Sequence, residues 1–253
     1  MPLARLAVAV AVLALAALPL TVGCSSPSKA NVAAAEEYVL VTLKRGPRVA
    51  EKTDAERQSI QAGHMANIRR LADEQKLVVA GPYGKENHDP TSRGIFIFDV
   101  DSIAEAKTLT DTDPAVVAGV LAMETETLAT ASDLRGAVAR DRALDERLKA
   151  EGRELPMNER IRAYVLVRAD DGARVAKAIA AAMPAKAILI DGRVNGTKGF
   201  WVIDAPDCAT VRGWFGKTFD TLGPCTIDEW WSTTTLVPDE PARALVPDAP
   251  TGA

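Results

Sequence analysis

Two histidines stand in a chain of 253 residues, and their settings differ. His64 lies in "SIQAGHMANIRRL", where Ile60, His64, Ile68 and Leu71 fall at i, i+4, i+8 and i+11, on one face of a helix. A histidine on such an apolar stripe is either a core residue with a satisfied hydrogen bond or a group facing a cavity. In the second case the imidazole can take or give a proton near neutral pH. A carboxylate on its Nδ1 would fix the tautomer and stabilise the imidazolium, with no serine or cysteine nucleophile required. Proton abstraction beside a carbonyl, followed by isomerisation or loss of a leaving group, suits such a pair. His88 sits in "KENHDPTS", dense in turn formers, and reads as an exposed loop histidine rather than a ligand. Tyr83, just after Gly81-Pro82, reads either as lining a pocket mouth or as a structural tyrosine. Two histidines without C-x-x-C or H-E-x-x-H give poor metal spacing, and no glycine-rich phosphate loop is evident. Neither a metal nor another cofactor is expected.

The elements that must position these groups begin behind a leader. Arg5 supplies a positive start and Leu6 to Leu20 an apolar run too short for a comfortable membrane span, so residues 1–23 read as an export signal. The run ends in "LTVGCSS", which resembles a bacterial lipobox with Cys24 as the lipidated residue, although Thr21 replaces the usual leucine. The expectation is a lipid-anchored protein on the periplasmic face of a bacterial envelope, Ser25 being compatible with outer-membrane sorting. With 30 Lys and Arg against 34 Asp and Glu the net charge is −4, and loss of Arg5 makes it −5, which does not favour nucleic acid. Residues 24–36 read as a tether, and residues 237–253, rich in proline and acid, as a disordered tail.

Between those ends the order of elements is repeated. "YVLVTL" at Tyr38 and "YVLVRA" at Tyr164 each lead through a helix pattern, an aliphatic run ending in glycine, a strand, a second helix and a last strand. At an offset of 111 Ile68 meets Ile179 and Gly81 meets Gly192; at 105 Gly94 meets Gly199; after one deletion Gly119 meets Gly223. Thr53 with Glu56, and Ser102 with Glu105, have the spacing of capping boxes opening the two helices of the first copy. Each copy reads β-α-β-β-α-β, over residues 37–130 and 161–236, and the densely charged residues 131–160 between them read as a solvated linker helix. Asp113-Pro114 is the pattern of an N-cap followed by proline at N1, which needs no catalysis.

"GHMANIRRLADEQKLVVAGPYG" and "RGIFIFDVDSIAEAKTLTDTDPAVVAGVL" together resemble the YciI-like, or YCII-related, family over residues 38 to about 128. The second copy resembles it only in pattern. The resemblance implies an α+β fold of ferredoxin-like units that pair as a dimeric α+β barrel. It also implies an active-site histidine and aspartate, which map onto His64 and Asp113. Some relatives are dehydrochlorinases or resemble lactone isomerases, so the name fixes no substrate. With two copies in one chain, the expected dimer becomes an intramolecular one, giving a monomer with a pseudo-dimeric core that takes a small-molecule ligand. In the second copy His64 becomes Val175 and Asp113 becomes Lys217 or Thr218, so the pair is lost together.

Trp201, Trp214, Trp230 and Trp231 all fall in the second copy and are expected to fill the core between the sheets, an aromatic ligand platform being the alternative. Cys208 opens a helix and Cys225 the following strand. A helix of about 11 residues at ~1.5 Å rise holds them roughly 16 Å apart, beyond disulfide reach, so two free buried thiols are expected.

Overall fold

The computed structural model describes residues 34–238, so the leader, Cys24 and nearly all of the tether and tail lie outside the described residues. The first half contains β1 (Glu36–Arg45), α1 (Asp54–Asp73), β2 (Leu77–Pro82), β3 (Ser92–Phe98), α2 (Ile103–Thr110), the single turn α3 (Pro114–Val117) and β4 (Leu121–Thr130). A connection made of α4 (Leu134–Ala150) and α5 (Met157–Arg160) leads to the second half. That half contains β5 (Ile161–Ala169), α6 (Gly172–Ala182), β6 (Ile188–Val194), β7 (Lys198–Ile203), α7 (Cys208–Phe215) and β8 (Cys225–Thr233). No described helix is long and apolar enough to cross a membrane.

Helix starts follow the local signals. Thr53 accepts from the Glu56 N–H while the Glu56 carboxylate takes the Thr53 N–H, closing the capping box of α1. At α2 only half the expected box forms. Ser102 accepts from the Glu105 N–H at 3.1 Å, but the Glu105 carboxylate is drawn to Lys76 Nζ at 2.9 Å.

All eight strands join one antiparallel sheet in the order β2-β3-β1-β4-β6-β7-β5-β8. The halves are related strand by strand. Val39 opposite Phe98 in the first becomes Val165 opposite Ile203 in the second, and Gly81 opposite Ile95 becomes Gly192 opposite Phe200. Gly119 and Gly223 both adopt positive φ, 69° and 78°, in the turn that enters the last strand, a conformation glycine reaches without strain.

The sheet closes on itself through two seams. At the first, β4 and β6 pair as Leu128↔Val194, Ala129↔Arg193 and Thr130↔Gly192. At the second, β8 meets β2 through one bridge, Tyr83↔Trp230, the counterpart of Leu128↔Val194. Even the side-chain bonds correspond: Thr130 Oγ1 donates to the Asp191 carbonyl at 2.8 Å, and Ser232 Oγ to the Ala80 carbonyl at 2.8 Å. The second seam is looser at Pro82, which stands where the first has Arg193 and brings no N–H to the ladder. There the Trp230 indole N–H donates to the Gly81 carbonyl at 3.0 Å, a side-chain tie across the seam. The result is an α+β barrel with helices outside, in which closure leaves few free strand edges.

Strand alternation sorts the core into three layers. Tyr38, Leu40, Ile95, Ile97, Tyr164, Phe200 and Trp230 fill the barrel interior. Phe96 and Phe98 face outward under α1 and α2, and Val165, Val167 and Trp201 face outward under α6 and α7. Buried on both faces, these strands read as unbroken apolar runs. Two expectations are corrected here. Of the four tryptophans only Trp230 lies in the inter-sheet core. Trp201, between inward Phe200 and Val202, must face outward, Trp214 packs against the same outer layer, and the Trp231 indole donates to Glu229 at 2.7 Å. The linker helix is not merely solvated. Leu134 and Ala137 of α4 join the barrel interior, and Arg142 donates to the Ala72 and Asp73 carbonyls that end α1.

Cys208 and Cys225 are both free, and burial pushes their thiols up to about 12 and about 11. Both are protonated at neutral pH.

Candidate functional site

His64 and Asp113, 49 positions apart, meet on the outer face of the first half. The helix brings the histidine and the turn brings the acid. Gly63 allows the approach: a Cβ there would lie 3.0 Å from Pro114 Cγ, so α1 and α3 touch where the helix backbone is bare. A mid-helix glycine costs about 1 kcal/mol relative to alanine, and here it permits that contact. The imidazole stacks on outward-facing Phe96, ring centroids 5.9 Å apart and planes 17° from parallel.

His64 Nδ1 lies 2.7 Å from Asp113 Oδ2, with the histidine side chain 10% exposed and the aspartate 0%. The other carboxylate oxygen accepts from the Ala115 N–H at 2.8 Å, and Pro114 takes the first helical position. Asp113 is therefore at once the N-cap of α3 and the orienter of His64. A carboxylate only accepts, so Nδ1 carries a ring proton, and in the neutral ring the lone pair is on Nε2. No described residue hydrogen-bonds Nε2.

Asn67 carried no signal beyond its spacing, three residues after His64 on the same helix face. It is 7% exposed, and its Oδ1 accepts from Arg70 Nη2 at 2.8 Å, while the Thr112 hydroxyl gives its proton to the Leu109 carbonyl at 2.6 Å. Its Nδ2 is buried without a partner among the described residues. An unmet buried donor costs about 1–3 kcal/mol, so this one stands out.

The remaining sequence candidates fall elsewhere. Tyr83, expected either at the pocket mouth or in a structural role, is 7% exposed and points into the barrel interior at the second seam, on the opposite face of the sheet from His64. Burial pushes its phenol up, and the Arg168 guanidinium facing it pulls the other way. His88 is a loop residue with its side chain 48% exposed, as the turn formers imply, but it is not idle. Its Nδ1 lies 2.8 Å from Oδ2 of fully buried Asp228, and its backbone N–H donates to Oδ1 at 2.8 Å. No sequence spacing announces this contact, because the partners are 140 positions apart and meet only when the barrel closes. In the second half Val175 is wholly buried in the apolar layer beneath α6, and Thr218 lines an open hollow with Arg174 and Lys177. Among the described residues no three His, Cys, Asp or Glu side chains group as metal ligands would.

Comparison with known proteins bears on the first half. Residues 37–126 match the family model of the YCII-related domain. Protein YciI of Escherichia coli is 34% identical over 77 residues, which is 28% of this chain and 79% of that protein, and Protein YciI of Shigella flexneri gives the same figures. Among solved structures, the 5-chloro-2-hydroxyhydroquinone dehydrochlorinase of Burkholderia phenoliruptrix AC1100, in complex with 2,5-dihydroxybenzoquinone, is 23% identical. That match covers 35% of this chain and 90% of that one with a TM-score of 0.27. By its identity over most of the length of YciI, and by the domain match that contains both His64 and Asp113, the chain belongs to the YCII-related family.

Proposed function

We propose that the chain is a cofactor-independent acid–base enzyme of the lyase or isomerase type, acting on a small carbonyl-containing or oxyanionic molecule. His64 Nε2 takes the proton, and Asp113 steadies the imidazolium that results. The observation that carries this reading is the 2.7 Å contact of Nδ1 with a fully buried carboxylate, which leaves Nε2 the unused atom of the pair. The family match over residues 37–126 supports it, since both residues lie inside the matched domain. Stacking on Phe96 restricts the ring, so the base is held before a ligand arrives. The second half, without either residue, is read as a degenerate copy that closes the barrel and supports the site. A lipid anchor at Cys24 and an envelope location belong to the same proposal and rest on the leader sequence.

A second reading has its own observation. Asp113 caps α3 through Oδ1, and a capped turn with a tethered, one-tenth-exposed histidine also describes a non-catalytic ligand-binding or interaction module. A pH titration of the His64 ring signals by NMR, in the full chain with and without Asp113→Asn, separates the two. The acid–base reading expects a ring that titrates, with a midpoint that falls when the carboxylate charge is removed. A ring that does not titrate, or ignores the substitution, transfers the site to the binding module.

A further inference from the structure

His64 and Asn67 are tied to the protein in parallel ways. Both lie on one face of α1, one turn apart. His64 is anchored through Nδ1 to Asp113, and Asn67 through Oδ1 to Arg70, whose Nη2 also donates to the hydroxyl of Thr112, the residue immediately before Asp113 in the chain. Each thereby spends one polar atom on a protein partner and keeps the other. What remains is an imidazole nitrogen with a lone pair and an amide N–H without an acceptor.

The orientation of that amide is fixed by its neighbours. Turning it over would set the NH2 group against the Arg70 guanidinium, which has no acceptor to offer. Nδ2 is thus held as the free donor.

We infer that Asn67 Nδ2 is the second recognition group of the His64 site, donating to a carbonyl or carboxylate oxygen of the ligand while His64 Nε2 addresses the neighbouring C–H or O–H. The inference rests on the acid–base reading of His64 and adds the substrate class: a molecule with an acceptor oxygen beside an acidic proton, and not a cation. The electron count for a carbonyl substrate is simple. Nε2 takes the proton from the α-carbon, the C–H bonding pair becomes the new C=C bond, and the carbonyl π pair moves onto oxygen. The Asn67 N–H donates to that oxyanion. Collapse of the oxyanion re-forms C=O, and the C=C pair either takes the proton back from Nε2–H, at the α-carbon or, through a conjugated C=C, at the γ-carbon, or forms a Cα=Cβ bond as an anionic group leaves the β-carbon. No oxidant or reductant enters.

Acetate and acetylacetone, an acid anion and a dicarbonyl with an acidic C–H, serve as probes, with tetramethylammonium as the cation control. In isotopically labelled full chain, the expected result is that acetate or acetylacetone moves the Asn67 side-chain NH2 signals and the His64 ring signals along one binding curve, and that tetramethylammonium moves neither. Asn67→Asp keeps an oxygen for Arg70 and replaces the donor, so probe affinity should fall about tenfold or more while His64 keeps its Asp113-dependent titration. Asn67→Ser is the second variant, in case the added charge disturbs the fold. A probe that moves His64 and leaves the Asn67 NH2 unmoved overturns this inference and leaves the acid–base reading standing. If nothing moves at saturating probe, or if tetramethylammonium acts like acetate, the inference falls, and a ring that also fails to titrate takes the acid–base reading with it.

Discussion

Two histidine–aspartate pairs in this molecule share one contact and differ in what surrounds it. In both, Nδ1 sits on a carboxylate of zero exposure, at 2.7 Å for His64–Asp113 and 2.8 Å for His88–Asp228. His64 rides on a helix with its ring against Phe96, and its aspartate spends the other oxygen on a cap within the same half. His88 rides on the loop between β2 and β3, half in solvent, and its aspartate belongs to β8 of the other half. The backbone around His88 depends on the same strand: Lys85 N–H donates to the Glu229 carboxylate, Gly84 N–H to the Glu229 carbonyl, and Glu229 N–H to the Glu86 carbonyl. The second pair is a latch across the looser seam. A His–Asp contact is therefore not a site by itself. The first pair is the candidate because its ring is nearly buried and stacked on Phe96, whereas the second lies half in solvent and ties a loop to the opposite half.

That contrast can be broken by removing each histidine in turn. His64→Ala strands Asp113 as a buried charge with one N–H donor, which should cost about 3–5 kcal/mol. For a body of this size that lowers the melting temperature by on the order of 10 °C. Adding Asp113→Asn to the same variant should recover part of the loss, because the capping oxygen survives without the charge. His88→Ala should cost less, about 1–2 kcal/mol, since the exposed imidazole leaves a path for water to Asp228. Its signature is faster hydrogen exchange at Lys85 and Glu86 and none at α1. Equal thermal losses for the two variants would erase the distinction.

The two seams offer a sharper version of the comparison. Trp230→Leu places at the second seam the residue type that its counterpart Leu128 supplies at the first. It removes the indole bond to the Gly81 carbonyl and much of the ring's packing among Tyr164 and its neighbours. A loss of about 2 kcal/mol is expected by chemical denaturation, with exchange protection falling in β2 and β8 and held in β4 and β6. Uniform loosening across both seams would mean that Trp230 supports the whole interior and not the seam.

The features legible in the sequence were those fixed locally or by periodicity. The offsets that align Gly81 with Gly192 and Gly94 with Gly199 survive as matched strand registers. Thr53 with Glu56 announced the start of α1, and the apolar stripe placed His64 inward. Facing in a barrel was harder to read. A strand buried on both sides shows no polar alternation, so nothing in "GFWVI" says that Phe200 turns in and Trp201 turns out. Tyr83 could not be assigned a face for the same reason. Long-range polar choices were hidden too: Glu105 leaves its box for Lys76, His88 finds Asp228, and the Asn67 amide shows as unmet only once Arg70 has claimed its oxygen.

The smallest expected effect concerns the loop that carries the latch. Lys44 Nζ lies 2.6 Å from Asp89, next in sequence to His88, and donates to Ser92 at 2.9 Å. The Lys44 ammonium, helped by the Thr91 hydroxyl and N–H, holds the Asp89 carboxyl well below the usual carboxylate range. A carboxylate depressed in the folded state contributes stability that is complete above its unfolded pKa, near 4, and is lost as pH falls through the folded value. Lys44→Met should therefore cost about 0.5–1 kcal/mol at pH 7, a modest figure because both side chains are partly in solvent. The gap from the parent protein should begin to narrow below about pH 4, where Asp89 of the folded variant, released from Lys44, takes up a proton that the parent's Asp89 still refuses. Denaturation series at pH 7, 4 and 3 read this directly. Exchange at His88 and Asp89 should rise in the variant while α1 and its histidine are unaffected, since the loop and the His64 site lie on different faces of the sheet. A variant that alters the His64 titration instead would show the two pairs to be coupled, and the separation between latch and site would have to be given up.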